Sequence, residues 1–148
     1  MIFIAHRGNT HGRDIDAENT VQHIDKAISE GFDVEVDVWY ENGLFYLGHD
    51  EPKTKIGVDY LELPQLWCHA KNILALHELL QTKALCFWHQ NDDVTLTSGH
   101  HLWTFPHKAL TPSSIAVMPL IDSDDWLGCF GVCSDNVVDF KAKYRHRV

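Results

Sequence analysis

His6, Arg7, Glu18, Glu35, Asp37 and His49 fall in the first third of the chain, most of them at the ends of short apolar runs. Together these residue types can hold a divalent cation and a phosphate, and can move protons on both sides of a phosphorus atom. Glu35 and Asp37 are two apart in Asp33-Val34-Glu35-Val36-Asp37-Val38. On a strand both carboxylates share one face, ~7 Å apart along the backbone. Two ionised carboxylates side by side are costly unless a cation lies between them; the competing reading is a solvent-facing acidic edge. His6 and Arg7 favour the cation, because they close the apolar run Ile2-Phe3-Ile4-Ala5. Neighbouring parallel strands would bring both pairs to one carboxyl-end rim. Arg7 can take phosphate oxygens bidentately, and Gly8 lets a ligand or backbone approach closely. Glu18 is open between a site role and support for the start of the next helix, where acids are favoured. His49, in the turn Gly48-His49-Asp50, needs a partner opposite to be more than a solvated turn residue.

The elements that must position these groups follow from periodicity. Residues 2–6 read as a short buried strand. Val21, Ile24, Ala27 and Ile28 recur at helical spacing, with Gly31 as a stop. Residues 32–39 alternate strictly, with Val34, Val36 and Val38 on the face opposite Asp33, Glu35, Asp37 and Trp39. Glu41-Asn42-Gly43 turns the chain into a returning strand over 44–47. Strands are predicted over 66–71 and 85–89, with a helix from Leu74 to Leu80 between them. This βα order implies parallel strands with helical crossovers. Beyond residue 90, short apolar runs recur at 101–105, 115–120 and 129–134, separated by segments too short or too polar for good helices. The polar run 87–97 reads either as a turn capped by Asn91 and Asp92 or as a loop that adds His89 and Asp92 to the site. Alternatively, with Trp88, Trp103 and Phe105 nearby, the loop forms a wall that selects a head group or sugar.

A chain of 148 residues fits one domain with a real core. Hydrophobic content of 45% and aromatic content of 11% mark a folded protein rather than a disordered one. A formal charge of −9 excludes a general nucleic-acid binder, which needs a basic stripe. It leaves room for an anionic substrate, since a bound cation can invert the sign of one pocket. No run reaches the ~20 apolar residues of a membrane span, and the N-terminus carries no leader pattern, so the expected compartment is the cytoplasm. Cys68, Cys86, Cys129 and Cys133 lie scattered within apolar runs, as buried free thiols do.

In order and spacing, His6-Arg7-Gly8, Glu18-Asn19-Thr20, Glu35-Val36-Asp37 and Gly48-His49-Asp50 resemble the defining series of the glycerophosphodiester phosphodiesterase family across residues 2–50. The resemblance implies a TIM-barrel fold, a divalent metal ion and hydrolysis of a small phosphodiester. On these positions it makes His6 and His49 the general acid and base, Arg7 a phosphate ligand, Glu35 and Asp37 metal ligands, and Glu18 a group near metal and substrate. Trp67-Cys68-His69-Ala70-Lys71 falls where the family has a strand ending in Glu-x-Lys. Lys71 then binds phosphate, and His69 stands in place of the third metal carboxylate. Magnesium or calcium is the family's metal type; an imidazole ligand shifts preference toward manganese or zinc. Gly131 to Asn136, with Ser134-Asp135, resembles the last barrel strand.

A TIM barrel usually takes ~250 residues. The expected fold is therefore α/β: a contracted or incomplete TIM-like (β/α) barrel with parallel strands and reduced helices in its C-terminal half, occupying 1–148 as a single domain. Sheet left uncovered by missing helices could be covered by a second copy, giving a homodimer. Three functions compete: a metal-dependent phosphodiesterase using the two histidines, a catalytically weakened relative that binds a phosphorylated ligand, and, last, a metal-storage or sensing module using the histidines, which explains neither Arg7 nor Lys71.

Overall fold

The computed structural model describes residues 1–148. Its strands are β1 (Ile2–His6), β2 (Asp33–Glu41), β3 (Leu44–Leu47), β4 (Thr54–Ile56), β5 (Leu66–Ala70), β6 (Leu85–Phe87), β7 (Val94–Leu96), β8 (Leu102–Thr104), β9 (Ser114–Val117) and β10 (Gly131–Ser134). The helices are α1 (Val21–Ser29), α2 (Val58–Leu61), α3 (Ile73–Leu80) and α4 (Val137–Arg147), with a 3-10 turn over Asp125–Gly128. No helix is long and apolar enough to cross a membrane.

The sheet is mixed, which corrects the expectation of parallel strands. Six parallel ladders join β6, β5, β2, β1, β10, β9 and β8 in that order. Three antiparallel ladders extend it: β2 with β3, β3 with β4, and β7 with β8. The β2–β3 hairpin is the one the turn at 41–43 predicts. β4 and β7 are additions of three residues each, too short for an alternation to show. β7 forms inside the polar run 87–97 because its backbone pairs with β8 while Val94 and Leu96 stay exposed.

The sheet curls. Phe87 on β6 and Trp103 on β8, from opposite ends of the parallel order, stack at 4.4 Å, and Trp67 on β5 stands 6.1 Å from Trp103. Ile4, Ile115 and Cys133 complete this buried cluster. β6 and β8 share no ladder, but Ser98 spans them in part: its amide donates to the Cys86 carbonyl, and its hydroxyl accepts from the Cys86 amide. The opposite face of β1, β2, β5 and β6 packs Ala5, Val34, Val36, Val38, Cys68 and Cys86 against Ile24 and Ala27 of α1 and Ala75 and Leu79 of α3. Val34, Val36 and Val38 are fully buried there, so the alternation in β2 does set the faces. A third cluster joins Ala116 and Val132 to Trp126 and Phe140. All four cysteines are free and buried.

The second half has few helices, as expected: only a 3-10 turn lies between β9 and β10. α4, which no predicted element covers, buries Val137 and Phe140, and Tyr144 meets Phe3 edge to face.

Candidate functional site

Parallel β1, β2, β5 and β10 end at one rim, and the register fixes what they bring there. His6 is opposite Glu35, Asp37 is opposite His69, and Ala5 is opposite Ser134, with Asp135 one step further. Glu35, Asp37 and His69 each offer a ligand atom within 4.8 Å of the others.

Glu35 and Asp37 are 2% and 1% exposed, so their charges must be answered inside the protein. Glu35 Oε2 accepts from the Arg7 amide at 3.2 Å and lies 3.8 Å from His6 Nε2. Asp37 Oδ2 accepts from Asn19 Nδ2 at 2.9 Å, and Asn19 Oδ1 accepts from the Asp37 amide at 2.9 Å. Arg7 Nε stands 3.1 Å from the same Oδ2, off the hydrogen-bond line. Asp37 Oδ1 has no hydrogen-bond partner. It faces His69 Nδ1 at 3.3 Å and Lys71 Nζ at 4.0 Å.

His69 supplies the third corner. Its Nε2 donates to the His89 carbonyl at 2.9 Å, which fixes the tautomer. Nδ1 then carries a lone pair when the ring is neutral and a proton when it is charged. Nδ1 points between Glu35 Oε1 at 3.5 Å and Asp37 Oδ1 at 3.3 Å. Burial works against the charged ring, but Asp37 and Glu35 outweigh it and raise the His69 pKa to about 9. Burial likewise opposes ionisation of Asp37, yet His69, Arg7 and Asn19 hold it well below the usual carboxylate range.

The residues fit a metal. Two buried carboxylates, an Oδ1 without a hydrogen bond and an imidazole nitrogen that becomes a ligand once its proton leaves are a donor set that a divalent cation could take over from the protonated ring. The three donor atoms lie within 4.8 Å of one another, close enough for one divalent ion to draw them together.

His6 has a partner the sequence reading did not assign. Its Nδ1 donates to Asp135 Oδ1 at 2.8 Å, leaving Nε2 to take or give a proton. Burial lowers the His6 pKa, but the Asp135 hydrogen bond and the Glu35 charge more than reverse this, and the net shift is upward. Asp135 is itself held below its ordinary value: burial raises it, and His6 and Asn9 lower it further. Asn9, fully buried, donates from Nδ2 to both Asp135 and Glu18. Its Oδ1 accepts from His23 Nε2 and the Asp14 amide.

Glu18 does not cap α1; the Thr20 hydroxyl does, accepting from the His23 amide. Glu18 instead accepts from Arg7 Nη1, Asn9 Nδ2 and Arg13 Nε, each at 3.1 Å. This network bends the backbone: Arg7 and Asn19 sit at φ 54° and 58°, conformations that cost energy outside glycine and collect at functional sites. Gly8 next to Arg7 is required as well, because a Cβ there would stand 2.8 Å from the His23 ring.

His49 is the predicted residue least engaged. It is 39% exposed and its only ion-pair contact is Asp50, at 2.7 Å. Gly48 dictates its position: a Cβ at Gly48 would lie 2.0 Å from the Glu51 carbonyl oxygen, so only glycine closes this turn. Trp39 Nε1 holds the turn from β2 by donating to the Gly48 carbonyl at 2.7 Å. His49 and Arg7 line a shared pocket of about 240 Å³. A larger cavity of about 540 Å³, bounded by Phe105, Val117 and Leu120, includes none of these groups.

In the 87–97 segment, His89 is buried and its Nε2 donates to the Asp92 carbonyl. Its contribution to the site is the backbone oxygen that holds His69. The aromatic wall expected from Trp88, Trp103 and Phe105 does not form. Trp103 is in the interior cluster, while Trp88 packs on the helical side; strand alternation sends Trp88 the opposite way from Phe87. Only Phe105 stands beside His89, edge to face at 5.2 Å.

No protein-family model matches this chain, no curated protein matches it in sequence, and no solved structure matches it in fold.

Proposed function

We propose that the chain is a metal-dependent phosphodiesterase acting on a small, deacylated glycerophosphodiester-like substrate, built on a contracted TIM-like barrel. One observation carries the reading: a His6–Asp135 pair stands beside the Glu35–Asp37–His69 group, with Arg7 and Lys71 on the same rim. The barrel reading is supported by the seven parallel strands and by the stacking that joins the two ends of that order.

Glu35, Asp37 and His69 would hold the metal, which when bound supplies charge neutralisation at a non-bridging phosphate oxygen. Arg7 and Lys71 bring fixed positive charge to the same phosphate. His6 exchanges a proton at Nε2, and Asp135 holds the ring and stabilises its charged form. His49, lining the pocket with Arg7, serves the opposite oxygen. Asn19 and Asn9 keep Asp37, Glu18 and Asp135 aimed. The pocket of about 240 Å³ is smaller than the ~300–1,000 Å³ typical of drug-sized ligands, which suits a head group without acyl chains.

A second reading, a phospho-ligand-binding relative without turnover, is favoured by the exposure of His49 and its pairing with Asp50. Hydrolysis of glycerophosphodiesters assayed across a series of divalent metals separates the two. Turnover abolished in both His6→Ala and His49→Ala supports the phosphodiesterase; tight binding of a phosphate ligand without turnover under any metal sinks it.

A further inference from the structure

The pocket beside the metal group has a second feature that phosphodiester chemistry does not use. Besides Arg7 and His49 it is lined by Arg13 and Lys53. Arg13 spends only Nε, on Glu18 Oε1, and both Nη nitrogens remain free. Lys53 Nζ has no carboxylate within ion-pair reach, although the Lys53 amide is fixed to the Leu47 carbonyl at 2.9 Å. The pocket's acids are largely committed. Glu18 is saturated by Arg7, Asn9 and Arg13, and Asp50 is engaged by His49. Asp16 alone stays exposed without a partner. In a chain of formal charge −9, the two Arg13 Nη nitrogens and the Lys53 ammonium are cationic donors without a partner on the wall of one small polar pocket.

We propose that Arg13 and Lys53 form a subsite for a second anionic group, a carboxylate or phosphate on the alcohol esterified to the phosphodiester. Arg7 would take the diester phosphate. Arg13 Nη and Lys53 Nζ, on the lining of the same pocket, would then meet a substituent of the alcohol beyond the ester oxygen that His49 serves. Arg13 is suited to this role, since its Nη pair can grip a carboxylate or phosphate fork-to-fork while Nε stays anchored. The substrate class is thereby narrowed from diesters in general to those whose head group carries an added negative charge.

This inference rests on the proposed phosphodiesterase activity, and its test separates the two. Glycerophosphoserine and glycerophosphoethanolamine differ only by one carboxylate. The metal-loaded full chain should show a kcat/KM at least about tenfold higher for the serine diester, a step equal to ~1.4 kcal/mol. Lys53→Glu should bring that ratio to or below one, and Asp16→Asn should raise it. A wild-type ratio at or below one, or a ratio that Lys53→Glu leaves in place, overturns the subsite. If no diester is turned over, calorimetry with O-phosphoserine and O-phosphoethanolamine decides. Tighter binding of O-phosphoserine, lost in Lys53→Glu, supports the subsite while removing the enzymatic reading. Equal or absent binding of the two overturns it.

Discussion

Raising the pH of the metal-free chain should cost this protein a stabilisation that can be computed from one residue. In the metal-free chain His69 Nδ1 faces two buried carboxylates at 3.3 and 3.5 Å, and the protonated ring acts as their internal cation. The folded pKa of about 9, against an ordinary 6.5, means the folded state binds the proton more tightly than the unfolded chain does. At ~1.4 kcal/mol per pH unit, that gap corresponds to about 3 kcal/mol. The stabilisation is fully present below pH 6.5, declines as pH rises and is lost above about 9. Urea denaturation in excess chelator at pH 6.5 and 9.5, for wild type and His69→Asn, isolates it. Wild type should lose about 3 kcal/mol more than the variant over that interval. Titration of the His69 ring by NMR in the same buffer gives its pKa directly. A ring that titrates at or below 6.5, or two proteins that weaken in parallel, would refute the assignment of His69 as the internal counter-charge. With metal present the same proton must leave, so apparent affinity should rise nearly tenfold per pH unit up to about pH 9.

Asp135→Asn should lower kcat by 10–100-fold, since a charge-assisted hydrogen bond contributes about 1.5–3 kcal/mol. The limb of the pH–rate profile that belongs to His6 should move to lower pH; an unmoved limb removes Asp135 from the proton transfer. Asn19→Ala deletes both bonds to Asp37 and leaves a β-carbon residue at φ 58°, so denaturant melts should show a loss of about 2–4 kcal/mol, of which Asn19→Gly recovers the backbone part. Gly48→Ala drives a Cβ into the Glu51 carbonyl. Near-ultraviolet circular dichroism should register a changed Trp39 environment, because its anchor to Gly48 is displaced. Phe87→Ala should cost about 3–5 kcal/mol by the cavity it leaves under Trp103 and His69, readable as a lower denaturation midpoint.

The sequence was most informative where burial and chemistry coincide. In β2, the valines mark the packed face and so commit Glu35 and Asp37 to the other side; the outcome in three dimensions follows from the two-residue period. His69 and Lys71 were reachable by the same rule, since β5 repeats it. Asp135 was harder: one acid after a four-residue strand carries no periodic signal, and its meaning comes from β10 lying beside β1, a pairing 129 residues apart. Asn9 and Asn19 act through amides that bridge loops, and no local pattern announces such a bridge. β4 and β7 are held by a neighbour's backbone rather than by their own side chains. α4 did leave a trace, with Val137, Phe140 and Tyr144 on one helical face, but the charged residues between them mask it. His49 shows the opposite failing: the turn was legible, but in the structure its ring meets Asp50 and none of the groups at the strand ends.

The bond from His69 Nε2 to the His89 carbonyl has a consequence for how such a centre can change. Glu35 and Asp37 project from one central strand and His69 from its neighbour, but the orientation of the His69 ring is set by the peptide of a loop. Substitutions among residues 90–93 can therefore shift the His69 ring against Glu35 and Asp37 while all three residues stay the same. The spacing of the group is in this sense set partly by a segment outside it.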